Sequence, residues 1–331
     1  RSFMTLCATV SSKSSCINRW CPHGNSSIFV RGLSANVSAS ELMNLIKHLR
    51  GRTGAPIKDV KSALMASNED IETAQKELRK RGVVLASRKS SRMAAEGLLA
   101  LAQNEKKAAV IELNCETDFV ARNKIFQHLA LSLARLALFV ENLPQQSSSP
   151  ISLGPDSLQN MKINLNHPKL SGETLVQNAI TEVAAMMGEN VELRRCFAIS
   201  TSSHGVLSTY LYTSPQPGRI AGILSLEVED ENAPLDALDC VGSELATHVV
   251  AAKPLFLIKE LVSSDALEGE REILKSQAEG SGKSSMAIEK MKFVVNDAIN
   301  VKTLMSNLSK EVGSAVKIGS FFRMEVGEGI Q

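Results

Sequence analysis

The chain has 331 residues, enough to bury a sizeable core and to form two or three units. Hydrophobic residues make up 44% and charged residues 22%, the balance of a globular rather than a disordered chain. A net charge of only +2 argues against a surface built wholly for nucleic acid, and an aromatic content of 4% against a stacking platform for single strands.

Residues 1–40 carry Arg1, Lys13, Arg19 and Arg31 and much Ser, with no Asp or Glu before Glu41. That basic, hydroxylated, acid-free composition is the one expected of an organellar transit peptide; a plain tail is the alternative. Residues 41–83 read as a three-helix unit. Leu42, Leu45, Ile46 and Leu49 share one face of a first helix, Glu41–Arg50. Gly51–Pro56 breaks it, and Pro56 opens a second helix ending near Ser67. Asn68 is expected to cap a third helix with Ile71, Ala74, Gln75 and Leu78 at helical spacing, and Gly82 to stop it. So small a unit has little core, which suits a docking module. Residues 84–97 read as a linker. Lys76, Arg79, Lys80, Arg81, Arg88, Lys89 and Arg92 form a basic stripe here. It is either a solvated face or a set of phosphate contacts.

Leu98–Ala102 and Ala108–Leu113 flank Gln103–Lys107 as a hairpin. Then comes Asn114-Cys115-Glu116-Thr117-Asp118-Phe119-Val120-Ala121-Arg122-Asn123. Thr117 or Asp118 can cap the turn that follows, because either side-chain oxygen can accept a free backbone N–H. Phe119 then stands between strand and helix, and on local pattern it reads as a core residue. A helix from Ile125 to about Asn142 carries the apolar stripe Ile125, Leu129, Leu133, Leu136 and Val140. Pro144 to about Ser171 reads as loop, and Glu173–Met187 as a helix stopped by Gly188. Leu193–Ser200, Val206–Thr213 and Arg219–Val228 read as an antiparallel meander with turns at Gly205 and Pro215–Gly218. Strand, acidic turn and helix recur over Ala109–Leu133 and Gly222–His248, a weak internal repeat.

No catalytic constellation emerges. There is no Cys-x-x-Cys among the six cysteines, and Cys16, Cys21 and His23 lack zinc-finger spacing. Free thiols in a reducing compartment are the expectation. The other histidines are isolated. Gly280-Ser281-Gly282-Lys283-Ser284 lacks the earlier Gly of a phosphate-binding loop, since Gln277 stands there, and no apolar strand precedes it. The longest apolar run, Leu129–Val140, is too short to span a bilayer. No cofactor, metal, catalytic residue, membrane contact or direct nucleic-acid contact is predicted.

The Asn114–Asn123 stretch resembles the signature of the elongation factor Ts family. Leu49-Arg50-x-Arg52-Thr53-Gly54-Ala55, Asp59-Val60-Lys61 and Asp70-Ile71-Glu72 are similar to the family's N-terminal domain. Gly188-Glu189-Asn190-Val191, His248–Pro254 and Arg323–Gly329 resemble further stretches of it in the same order. The resemblance implies an α+β protein: a ubiquitin-associated-like three-helix domain, then two related lobes over 98–172 and 173–331 with antiparallel sheets. It also implies a nucleotide exchange factor that binds elongation factor Tu in its GDP-bound and nucleotide-free forms. Arg50, Ile57 and Lys61 would dock on the G domain. Thr117, Asp118, Phe119 and Val120 would enter it and disturb the Mg²⁺ and phosphate site. The location would be mitochondrial, in the matrix, with plastid as the alternative. The competing class is a non-catalytic RNA- or ubiquitin-type binding module using the basic helical domain. Two departures from the family stand out. Lys292-Phe293-Val294 follows Glu289-Lys290-Met291 at once, which implies a shortened helical arm around 265–292 and a second sheet lacking a strand. Tyr212 stands where the family often has His.

Overall fold

The computed structural model describes residues 39–140, 150–170, 172–201, 204–213, 218–230, 233–257 and 299–330. The transit segment up to residue 38, the Gly280–Ser284 run, the arm around 265–292 and most of the Pro215–Gly218 turn lie outside them.

Three helices come first: α1 (Ala39–Thr53), α2 (Ile57–Ala66) and α3 (Ile71–Lys89). Ile46, Leu49, Val60, Ala63, Leu64, Ala74 and Leu78 close a small core between them. Asp70, not Asn68, caps α3: its Oδ2 accepts the Thr73 N–H at 2.9 Å. Asn68 and Glu69 instead take φ of 48° and 66° and reverse the chain between helices. Gly82 does not stop α3, so residues 84–89 of the expected 84–97 linker are helix. Glycine is needed there for another reason. A Cβ at Gly82 would lie 2.9 Å from the Cβ of Ala185, on the later helix Val176–Met187. Arg79 also pairs with Glu182 of that helix at 3.1 Å, so α3 is fastened to the body.

The body continues through β1 (Glu96–Gln103), β2 (Lys107–Cys115), α4 (Asp118–Ala121), α5 (Lys124–Ala137), β3 (Ile151–Leu153), α6 (Pro155–Gln159) and β4 (Lys162–Asn164). Next come β5 (Glu173–Leu175), α7 (Val176–Met187), β6 (Val191–Ser200), β7 (Gly205–Tyr212), β8 (Ile220–Val228), α8 (Asp236–Ala252), α9 (Val301–Val312) and β9 (Val316–Glu325). Two antiparallel sheets have the orders β1-β2-β6-β3 and β7-β8-β9. The three-run meander is therefore corrected: β6 pairs with β2, and only β7 and β8 form the hairpin. The loop expected over 144–171 contains β3, α6 and β4, elements of three to five residues that are too short to show a period. Glu173–Leu175 is strand, not the start of the helix, and pairs with β4.

The sheets stack face to face. Leu99, Ala108, Val110 and Ile199 of the first meet Leu207, Ala221, Ile223 and Met324 of the second. The Phe197 and Phe322 rings lie 4.6 Å apart across that seam. Helices α5 and α7 cover the outer face of the first sheet, and α8 and α9 that of the second. β2 is consequently buried on both faces, which explains the unbroken apolar run Ala108–Ile111 within it. One core unites Ala86 of α3 with residues as late as Ala198, so packing on the first sheet does not end at 172. In the second half α8 follows β8 and packs on β7 and β8, as α5 follows β2 and packs on β1 and β2. The register of β2 against β6 shifts between Glu112 and Leu113. Such a bulge lets two successive residues face one side. Arg194 and Arg195 both reach the fully buried Glu112, and the Gly327 N–H donates to its Oε1 at 2.8 Å. The C-terminal turn is thereby tied to the first sheet.

Candidate functional site

β2 ends at Cys115, and the chain turns through Glu116 and Thr117 into α4. Successive residues of a helix point about 100° apart. Val120 and Ala121 are drawn into the first core, so Phe119 is turned outward and is 80% exposed. It is not the core residue that the local pattern allows. Val120, in turn, is 7% exposed and anchors the turn from inside.

The base of the turn is held by a distant segment. Thr117 occupies the N-cap position of α4 but makes no capping bond. Its Oγ1 donates to Glu189 Oε1 at 2.7 Å, and its N–H donates to Glu189 Oε2 at 3.0 Å. Asp118 Oδ2 accepts from the Arg122 guanidinium at 2.9 Å, one turn on. Asn123 caps α5 by accepting the Ile125 N–H at 2.9 Å. Glu116 Oε1 accepts the Asn190 N–H at 2.7 Å, and its Oε2 faces Arg92 at 3.2 Å. The Asn190 N–H, with Arg92 beside it, holds the Glu116 carboxyl below its ordinary value. Cys115 donates its Sγ–H to Thr117 O, and burial, helped by the nearby Glu189 charge, pushes its thiol up to about 12. That thiol is packing, not a nucleophile.

The expected docking residues sit elsewhere, around the small helical core. Arg50 is exposed on α1, and Ile57 and Lys61 are exposed one turn apart on α2. Ile57 is 54% exposed and Met65, a further turn on, 63%, so this face is partly apolar. Much of the basic stripe is engaged within the molecule. Arg79 pairs with Glu182, Arg81 with Glu77 and Arg92 with Glu116, and Lys89 Nζ donates to Gly188 O. Tyr212, at the end of β7, is 39% exposed and lies opposite Ile220. Among the described residues, no three His, Cys, Asp or Glu side chains gather as a metal site, and no helix is long and apolar enough to cross a membrane.

A family model for Elongation factor TS matches residues 116–328, from the base of the Phe119 turn to the C-terminal turn. The chain belongs to the elongation factor Ts family. It is 70% identical over 324 residues to the Ricinus communis protein named "Elongation factor Ts, mitochondrial", covering 92% of this chain and 86% of that one. It is 63% identical to the Arabidopsis thaliana protein of the same name, covering 92% and 82%. A bacterial relative, "Elongation factor Ts" of Paramagnetospirillum magneticum, is 35% identical over 90% of this chain and 93% of its own. The matched region begins at the turn that carries the exposed ring. Glu189 was not among the predicted site residues. Its partner Thr117 lies 72 residues away, and its only sequence signal is membership in the Gly188–Val191 stretch that resembles the family.

Proposed function

We propose that this member of the elongation factor Ts family is the guanine-nucleotide exchange factor for a mitochondrial elongation factor Tu. It binds the GDP-bound form, promotes GDP release and allows GTP to reload. The observation that carries the reading is Phe119: a large ring, 80% exposed, on a turn whose base is braced by charged hydrogen bonds. Exposed aromatic rings on rigid supports suit burial in a partner.

Exchange requires no bond chemistry of the factor's own. A protein that binds the empty GTPase more tightly than the GDP-bound one weakens GDP binding by the same factor. A ten-thousandfold effect requires about 5.5 kcal/mol of differential binding. Burying one Phe supplies only about 1.5–3 kcal/mol. The remainder must come from wider contact. The three-helix unit, ubiquitin-associated-like by resemblance, docks on the G domain through Arg50, Ile57 and Lys61. Two related lobes hold the rest of the partner. Asp118 and Phe119 then enter the G domain and disturb its Mg²⁺ and phosphate site, which anchors the nucleotide. The engagement of Arg79, Arg81, Lys89 and Arg92 inside the molecule leaves less of the basic stripe for RNA, which favours this reading over an RNA-binding module. The mitochondrial matrix is the location proposed from the names of the plant relatives and the acid-free residues 1–40; plastid is the alternative.

The test is release of a fluorescent GDP analogue from elongation factor Tu on adding the purified protein. Acceleration that grows with its concentration and then saturates is expected. A release rate unchanged at saturating protein would reject the reading.

A further inference from the structure

A four-residue helix is too short to fix its own direction. Burial of Val120 and Ala121 turns Phe119 outward, and the Gly188–Asn190 turn, where two parts of the molecule meet, holds the base of its turn in place. On one side, Glu189 takes both the Oγ1–H and the N–H of Thr117, and the Asn190 N–H donates to Glu116 Oε1. On the other side, the end of α3 is held. Lys89 Nζ donates to Gly188 O, and Asn190 Nδ2 donates to Ser90 O at 3.2 Å and Arg92 O at 2.8 Å. The helix that carries the small docking core and the turn that carries the exposed ring are therefore fastened to the same three residues.

We propose that Glu189 is a positioning residue for nucleotide exchange. Its two-point grip on Thr117 fixes where Phe119 enters the partner once the three-helix unit has docked. The inference rests on the exchange reading of Phe119. A bidentate carboxylate suits the task, because two charge-assisted bonds, one to the backbone and one to the side chain of a single residue, remove rotation as well as translation. Glu189 is itself half-buried, and it acts through Thr117 rather than by touching the nucleotide.

The experiment is stopped-flow release of a fluorescent GDP analogue from elongation factor Tu at rising concentrations of the full chain. It separates the maximal rate from the half-saturating concentration. Glu189→Ala is expected to lower the maximal rate about tenfold and to move half-saturation less than about twofold, because misplacing a working group costs rate rather than docking. Glu189→Gln is expected to recover most of the rate. Its amide oxygen still accepts the Thr117 N–H, and its amide N–H donates to Thr117 Oγ1. In a Phe119→Ala background Glu189→Ala should add nothing, since both changes disable the same ring. A wild-type maximal rate for Glu189→Ala beside a slow Phe119→Ala overturns the positioning role alone. So does a loss that adds fully in the double variant, which is the mark of general destabilisation. A wild-type rate for Phe119→Ala overturns the exchange reading, and the positioning role with it. If Glu189→Ala fails to fold, Thr117→Val removes only the hydroxyl bond. It should then show the same split between rate and half-saturation, and its absence overturns the proposal.

Discussion

Replacing Phe119 by Ala separates the two things a large apolar side chain can do. Fully burying a Phe side chain is worth about 1.5–3 kcal/mol. In the free protein only one-fifth of the residue's surface is covered, since it is 80% exposed. The loss of folding stability is therefore about 0.3–0.6 kcal/mol, which for a chain of this size shifts the melting temperature by less than about 1 °C. The remaining four-fifths is available to a partner. Burying it there contributes about 1.2–2.4 kcal/mol, or about eight- to sixtyfold in rate if all of it is realised as GDP leaves. Phe119→Ala should thus slow maximal GDP release by roughly tenfold or more while melting almost as the unaltered protein does. Phe119→Leu keeps much of the apolar area and should fall between the two. Stopped-flow release of labelled GDP, run beside a thermal melt, reads both quantities on the same samples. Unchanged release by Phe119→Ala refutes the reasoning. A fall of more than about 10 °C in melting temperature also refutes it, because the ring would then be supporting its own fold.

Other expectations follow from the packing. Gly82→Val should cost about 1–3 kcal/mol in denaturant unfolding, because even its Cβ would lie 2.9 Å from the Cβ of Ala185. A flexible linker at Gly82 would instead make that change neutral. Glu112→Ala removes the buried carboxylate that pairs with Arg194 and Arg195 and accepts the Gly327 N–H, so the C-terminal turn is left with the arginine bonds to Glu325 and Glu328. About 3 kcal/mol of lost stability is expected, and proteolysis should then reach residues near Gly327 first. Burial holds His248 below its ordinary value of 6.5, so it is neutral in the fold and protonates more readily when unfolded. Its contribution is therefore full above pH 6.5 and declines as pH falls below that value, and His248→Gln should flatten this limb of a melting-temperature profile. Cys115 and Cys196, both pushed up to about 12 by burial, should resist alkylation at pH 8 in the folded protein. The exposed Cys240 should be modified, as peptide mapping will show.

Local sequence patterns reveal the elements that are long and periodic. The stripe of α5 and the helical stop at Gly188 are legible because each depends on neighbours a few residues away. Gly82 misleads for the opposite reason. A glycine that ends a helix and one that admits another helix look alike until Ala185 is placed beside it. β6 reads as a strand just as β7 does, and only its non-local pairing with β2 assigns it to the first sheet. At the candidate site the two kinds of information divide within single residues. The signature around Thr117 marks the turn, while Glu189, which fixes it, has no local periodicity to announce it.

The exposure of Phe119 also has a physical logic that local reading misses. A ring at a strand–helix junction is most cheaply satisfied by turning inward, where Val120 and Ala121 already lie. The fold reverses that preference. It seats the two small neighbours inside, holds Thr117 and Glu116 from outside with Glu189 and Asn190, and leaves the ring in water. Among the described residues the ring is left in water, which is what the proposed insertion into a partner requires. Conflicts of this kind between local economy and global fold are where function is expected. On the proposed reading, the contacts beneath Phe119 hold the ring outward and so lower the cost of ordering it when a partner binds.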